Sequence, residues 1–144
     1  MFNSILVVCT GNICRSPIGE RYLRSLLPNK KIDSAGTSAL VDHAADESAI
    51  LVASSHGISL DGHVAKQFTS SLGRQYDLIL VMEKYHIEQI GRVAPEARGK
   101  TMLFGHWLNQ RDIPDPYRKS NEAFLSVYKL IEQAGGLWAQ KLGA

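Results

Sequence analysis

Residues 3–17 read NSILVVCTGNICRSP, Asn3 to Pro17, and the reading of this stretch decides the fold. Asn3 to Val8 is a β-branched and leucine-rich run without polar alternation, which suits a strand buried on both faces of a parallel sheet better than an edge hairpin. A short loop follows, and Ser16 before Pro17 reads as a helix N-cap with proline at the first helical position. Ile18, Tyr22, Leu23, Leu26 and Leu27 then recur at helical spacing until Pro28, so the first helix is expected over about Ser16 to Leu27.

The rest of the chain repeats the alternation. Lys31 to Ala35 reads as a second strand stopped by Gly36, and Asp46 caps a second helix carrying Ile50, Leu51 and Ala53 that His56-Gly57 closes. A long loop, Gly36 to Ala45, separates the two. Asp77 to Met82 reads as a third strand, Glu83 to Val93 as a helix, and Lys100 to Phe104 as a fourth strand after the breakers Pro95 and Gly99. From Ser120 onward Phe124, Val127, Tyr128, Ile131, Ala134 and Trp138 form the stripe of a terminal helix that Gly135-Gly136 weakens locally. Strands alternating with helices imply parallel pairing through right-handed crossovers, and ligands of such open sheets sit beyond the carboxyl ends of the strands. The exit loop of the first strand is therefore the place to look.

Composition narrows the function. At 144 residues the chain has the length of one domain, residues 1–144, and 44% hydrophobic with 21% charged residues excludes a disordered or fibrous polypeptide. Sixteen Lys plus Arg against fourteen Asp plus Glu gives a net charge of +2, with the signs interleaved, so no nucleic-acid partner is expected. The longest apolar runs are too short to cross a bilayer, which argues against membrane insertion. No secretory leader precedes the first strand, and a cytoplasmic protein is expected. Cys9 and Cys14 are the only cysteines, both in one short loop, where they suggest chemistry rather than a disulfide scaffold. His43, His56, His63, His86 and His106 show no metal-ligand spacing, so neither metal nor cofactor is expected.

The loop Cys9 to Pro17 has the makings of a phosphate cradle. Its backbone amides, from Thr10, Gly11, Asn12, Ile13, Cys14, Arg15 and Ser16, can converge on one anion in front of a helix N-terminus. Gly11 and Asn12 tolerate the left-handed backbone that a tight loop needs, and the Asn12 side chain can brace it. Arg15 offers a planar fork for two phosphate oxygens. The same donors favour a thiolate at Cys9, an in-line nucleophile toward a bound phosphoryl group, while Ser16 can donate a hydrogen bond to the sulfur.

Together with Asp115-Pro116-Tyr117 far downstream, the loop CTGNICRSP resembles the signature of the low-molecular-weight protein tyrosine phosphatases. The similarity extends through Asp33 to Gly36, His63 to Gln67 and Asp77 to Glu83, and the phrasing of Pro95 to Lys100, Met102 to Trp107 and Ile113 to Ser120 is most like a bacterial branch encoded with exopolysaccharide export machinery. The resemblance implies an α/β domain with a four-stranded parallel sheet flanked by helices on both faces, no metal, and hydrolysis through a phosphocysteine. It makes Cys9, Arg15 and Asp115 catalytic, Asp115 being the acid that protonates the departing phenolate and afterwards the base for water. Asn12, Ser16, Ser34 and His63 would hold the loop, while Leu40, His43 and Tyr117 would wall the substrate. The implied partner is a phosphotyrosine protein, a bacterial tyrosine autokinase of polysaccharide export; a monomer inhibited by phosphate-like oxyanions is expected.

Two other readings compete. An arsenate reductase would need further cysteines to relay a disulfide, and none follows Cys14; a catalytically silent phosphotyrosine-binding module would have no use for Asp115. Cys14 itself reads either as apolar filler or as a redox guard that captures an oxidised Cys9.

Overall fold

A computed structural model describes residues 2–143, so the end residues of the expected domain, 1 and 144, lie outside the described residues. The first strand, β1 (Ser4–Cys9), runs into helix α1 (Arg15–Leu26), followed by β2 (Lys31–Gly36), α2 (Glu47–Ser54), the short α3 (Ser70–Gly73) and β3 (Leu78–Val81). Helix α4 (Lys84–Val93), a 3-10 turn at Pro95–Lys100, β4 (Thr101–Leu103) and the long α5 (Asn121–Lys141) complete the chain. All strand pairs are parallel in the order β2-β1-β3-β4, as the alternation of elements requires. The register sets Cys9 beside Gly36 and Val8 beside both Ala35 and Val81, so the exit loops of these strands open at one end of the sheet.

The central strands β1 and β3 bury both faces, which is why β1 shows no polar alternation. Ile5 and Val7 join Ile18 and Leu23 of α1, Ala49 of α2, and Phe124 and Ile131 of α5 in one core. Leu6 and Val8 point the other way, into a second core with Ile79, Val81, Phe68 and Ile90 of α4. Helices therefore cover both faces. Among the described residues no helix is long and apolar enough to cross a membrane.

Most strand and helix ends differ from expectation by a residue, but one difference matters. Helix α1 starts at Arg15 with Cys14 at its N-cap, so Ser16 is not the cap and Pro17 sits third in the helix. No side chain caps this end. The expected capping hydroxyl of Ser16 bonds the Cys9 sulfur instead, and the uncapped first-turn amides stay available to an anion. The glycine pair does not interrupt α5. Gly135 packs on α1, where a Cβ would stand 2.9 Å from the Tyr22 ring. Helix α3 and the 3-10 turn carry no periodic apolar pattern and were not anticipated.

Candidate active site

Beyond the carboxyl end of β1 lies a cleft of about 200 Å³. Its floor is Cys9, Thr10, Gly11, Ile13, Cys14 and Arg15; its walls are Ser38, Leu40, Asp115 and Tyr117. The structure thus brings together the expected loop, the distant Asp115 and two of the three expected wall residues. His43 is the exception. It is exposed and absent from the lining, and its backbone serves the loop by donating to Leu40 O and accepting from Ala65 N.

A directed chain of hydrogen bonds braces the floor. Asn12 takes the left-handed φ of 58° expected for it, whereas Gly11 is not left-handed, so the loop needs that conformation at one position only. The buried Glu20 carboxylate can only accept, and it accepts from Ser34 Oγ at 2.9 Å. Asn12 Nδ2 then donates to Ser34 Oγ at 3.0 Å and to Ser16 Oγ at 2.8 Å, its Oδ1 being held by Lys66 N–H. The Ser16 hydrogen then has two acceptors within reach, Cys9 Sγ at 2.9 Å and the more distant Ala35 carbonyl at 3.5 Å, so the closer sulfur is its partner, and Asn12 N–H adds a second donor to the sulfur at 3.3 Å. Two hydrogen bonds aimed at one sulfur stabilise negative charge there. His63 Nε2 donates to the Asn12 carbonyl at 2.6 Å, and burial lowers the His63 pKa. All four expected loop-supporting residues are in this network. Gly36 belongs to it sterically: a Cβ would lie 2.3 Å from Thr10 O.

Arg15 is 1% exposed. Its Nη1 donates to Glu83 at 2.6 Å and to the Ile113 carbonyl at 2.8 Å, and its Nη2 lies 3.8 Å from Asp115 Oδ2. Burial works against the guanidinium charge, but Cys9, Glu83 and Asp115 outweigh it and raise its pKa. Asp115 is held by its other oxygen, which accepts Tyr117 N–H at 3.0 Å in an Asx turn. Turn formation and the cleft use different oxygens of the same carboxylate. On the far side of Thr10, its hydroxyl meets His86 Nε2 at 2.9 Å and Tyr85 OH at 2.7 Å. Because Glu83 N–H donates to His86 Nδ1, the proton of this buried imidazole sits on Nε2 and is given to Thr10.

Burial, with Arg15 second, lowers the His86 pKa to about 4. A depressed folded-state value means that the unfolded chain binds the proton first as the solution is acidified, so the stability from this site is full above about pH 6.5 and is lost toward about pH 4. Thermal melts from neutral pH to about pH 4 should show a smaller acid loss in His86→Asn than in the wild type. Burial raises the Cys14 pKa, with the charges of Asp46, Cys9 and Asp115 adding to it; this cysteine is a thiol, free and 4% exposed.

Glu83, Ile113, Glu20, Ser38 and His86 complete the site but were not singled out from sequence. The capping position of Glu83 before an apolar helix was a signal for it; the carbonyl of Ile113 left none.

A family model described as low molecular weight phosphotyrosine protein phosphatase matches residues 4–144. The chain belongs to that family. It is 60% identical over 141 residues to the low molecular weight protein-tyrosine-phosphatase Etp of Escherichia coli, covering 98% of this chain and 95% of the relative. A crystal structure of the tyrosine phosphatase Wzb from Escherichia coli in complex with sulphate superposes with a TM-score of 0.98 at 71% identity, over 99% of this chain and 100% of the other. Vibrio vulnificus Wzb in complex with benzylphosphonate gives 0.97 at 57% identity, over 98% and 99%. This phosphatase is therefore an enzyme for phosphotyrosine in proteins.

Proposed function

We propose that the whole chain, as one catalytic domain, hydrolyses phosphotyrosine through a phosphocysteine, a reading carried by the meeting of Cys9, Arg15 and Asp115 in one cleft. Cys9 Sγ attacks phosphorus in line, so that the S–P bond forms as the P–O bond to the phenol breaks. Asp115 gives its proton to the departing oxygen. Arg15 and the amides of Thr10 to Ser16 hold the three remaining phosphoryl oxygens and their growing charge. Water then attacks phosphorus from the vacated side with Asp115 taking its proton, and the sulfur leaves as a thiolate stabilised by Ser16. Leu40 and Tyr117 offer apolar walls to an aryl ring above Ile13 of the floor, and the benzylphosphonate complex of the Vibrio relative supports that fit.

The enzyme works in the cytoplasm, its substrate is the tyrosine autokinase of an exopolysaccharide or capsule export system, and phosphate-like oxyanions inhibit the monomer by occupying the cradle. The purified chain should release phosphate from autophosphorylated kinase and from phosphotyrosyl peptides, with phosphate as a competitive inhibitor. Equal turnover of phosphoseryl peptides would overturn the assignment.

Cys14 acts as the redox guard. When peroxide converts the Cys9 thiolate to a sulfenic acid, the Cys14 sulfur attacks it, the S–S bond forms, and hydroxide leaves as water with the Cys14 proton. Burial keeps Cys14 protonated, so capture is faster at higher pH. Wild type inactivated by peroxide should recover with dithiothreitol severalfold more than Cys14→Ser, and equal recovery would return Cys14 to packing.

A further inference from the structure

The geometry points to Asp112 as a positioning residue for Asp115, fastened to the N-terminus of α4, an inference that rests on Asp115 being the general acid. The segment from Phe104 to Ser120 forms neither helix nor strand, and the Asp115 side chain at its tip is 48% exposed. Packing alone does not fix so open a carboxylate. Phe104 and Ile113 anchor the segment in the core, and a short row of polar ties stands immediately before the acid. Ile113 N–H donates to Met82 O at 2.8 Å, and Ile113 O accepts from Arg15. One residue earlier, Asp112 Oδ1 accepts the backbone N–H of Lys84 at 3.0 Å, with Lys84 Nζ at 3.5 Å.

Lys84 is the first residue of α4, a helix of ten residues whose cap is Glu83. Its N–H is one of the donors a helix cannot satisfy internally, and the positive end of the dipole adds to its hold on a carboxylate. The same helix end supports two reacting groups at once. Glu83 there grips Arg15, which binds phosphate, and Asp112 there grips the loop that carries the acid. Losing Asp112 removes the outermost of these ties, three residues before the carboxylate, and leaves the acid loop hung on Ile113 alone; a displacement of about 1 Å at a catalytic group is enough to cost rate.

The tie between Asp112 and Lys84 is made through a backbone donor, which allows it to be cut from either side. Asp112→Ala removes the acceptor. Lys84→Pro removes the donor at the first helical position, where proline is favoured, and the preceding Glu83 already has the extended φ of −138° and ψ of 156° that proline demands. Lys84→Ala keeps the N–H and loses only an exposed ion pair worth little. Asp112→Asn keeps an acceptor oxygen.

Steady-state kcat/KM is measured on a phosphotyrosyl peptide and on dinitrophenyl phosphate, whose phenolate leaves without a proton, with thermal melts alongside. Asp112→Ala and Lys84→Pro should each lower kcat/KM for the peptide about tenfold while changing that for the activated ester less than about twofold. Asp112→Asn should recover most of the loss, and Lys84→Ala should match wild type. An Asp112→Ala protein with wild-type leaving-group dependence, or with equal losses on both substrates, overturns the inference. Asp115→Ala in the same assay separates the two levels: if it lacks leaving-group dependence the general-acid reading fails, and if it shows it while Asp112→Ala does not, only the positioning role fails.

Discussion

Cys9→Ser should abolish turnover, by more than about 10⁴-fold in kcat, while phosphate still binds within a few-fold of wild type. The two halves of this expectation have separate physical origins. The nucleophile is one atom, and a serine hydroxyl at neutral pH has neither the charge nor the polarisability of the thiolate it replaces. Oxyanion binding depends on groups the substitution leaves in place: Arg15, locked by Glu83 and Ile113, and the amides of a loop braced through Asn12 and Ser34 to Glu20. Serine oxygen can still accept the Asn12 N–H and the Ser16 hydroxyl that now serve the sulfur. The variant should also bind a phosphotyrosyl peptide in a pull-down, and phosphate titration by calorimetry measures the cradle directly. Hydrolysis near the wild-type rate would sink the phosphocysteine route, and loss of phosphate binding together with turnover would show that the sulfur holds the loop rather than reacting.

What the sequence made legible, and what it hid, follows from how local each interaction is. The strand Ser4–Cys9 was readable because both faces are buried from Ile5 to Cys9 and those positions report the same environment. The cradle was readable because its residues are contiguous, so spacing along the chain is nearly spacing in space. Asp46 was readable as a cap, and its side chain does accept from Ser48. Ser16 misled the same rule, because its hydroxyl bonds the Cys9 sulfur rather than the helix end. His43 misled by proximity. It lies three residues from Leu40, but the turn between them presents Leu40 to the cleft and leaves His43 outside. Glu83 and Ile113 stayed hidden because they meet Arg15 across 68 and 98 residues of sequence, and one of them contributes only a carbonyl that any residue type could supply. Resemblance to a family supplied Asp115; periodicity alone would have left it as a turn.

That ambiguity at Asp115 gives the second large expectation. Asp115→Ala should lower kcat/KM for a phosphotyrosyl peptide by about 10² to 10⁴, and considerably less for dinitrophenyl phosphate, because only the poor leaving group needs the proton. Alanine alone cannot decide the matter, since it also deletes the Asx turn in which Oδ1 accepts Tyr117 N–H at 3.0 Å. Tyr117 is a wall of the cleft, so a collapsed turn could damage substrate binding without any loss of acid catalysis. Asp115→Asn resolves this. Its amide oxygen can keep the turn, while the nitrogen facing Arg15, where Oδ2 now lies 3.8 Å from Nη2, carries hydrogens far too weakly acidic to transfer to a phenolate. If Asp115 is the acid, the asparagine variant is as slow as alanine on the peptide, keeps the wild-type KM and remains fast on the activated ester. If the residue is only a turn former, asparagine restores activity on both substrates. The pH profile supplies an independent check: the fall of kcat/KM on the alkaline side, which reports loss of the essential proton donor, should disappear in both variants and persist if the proton comes from elsewhere.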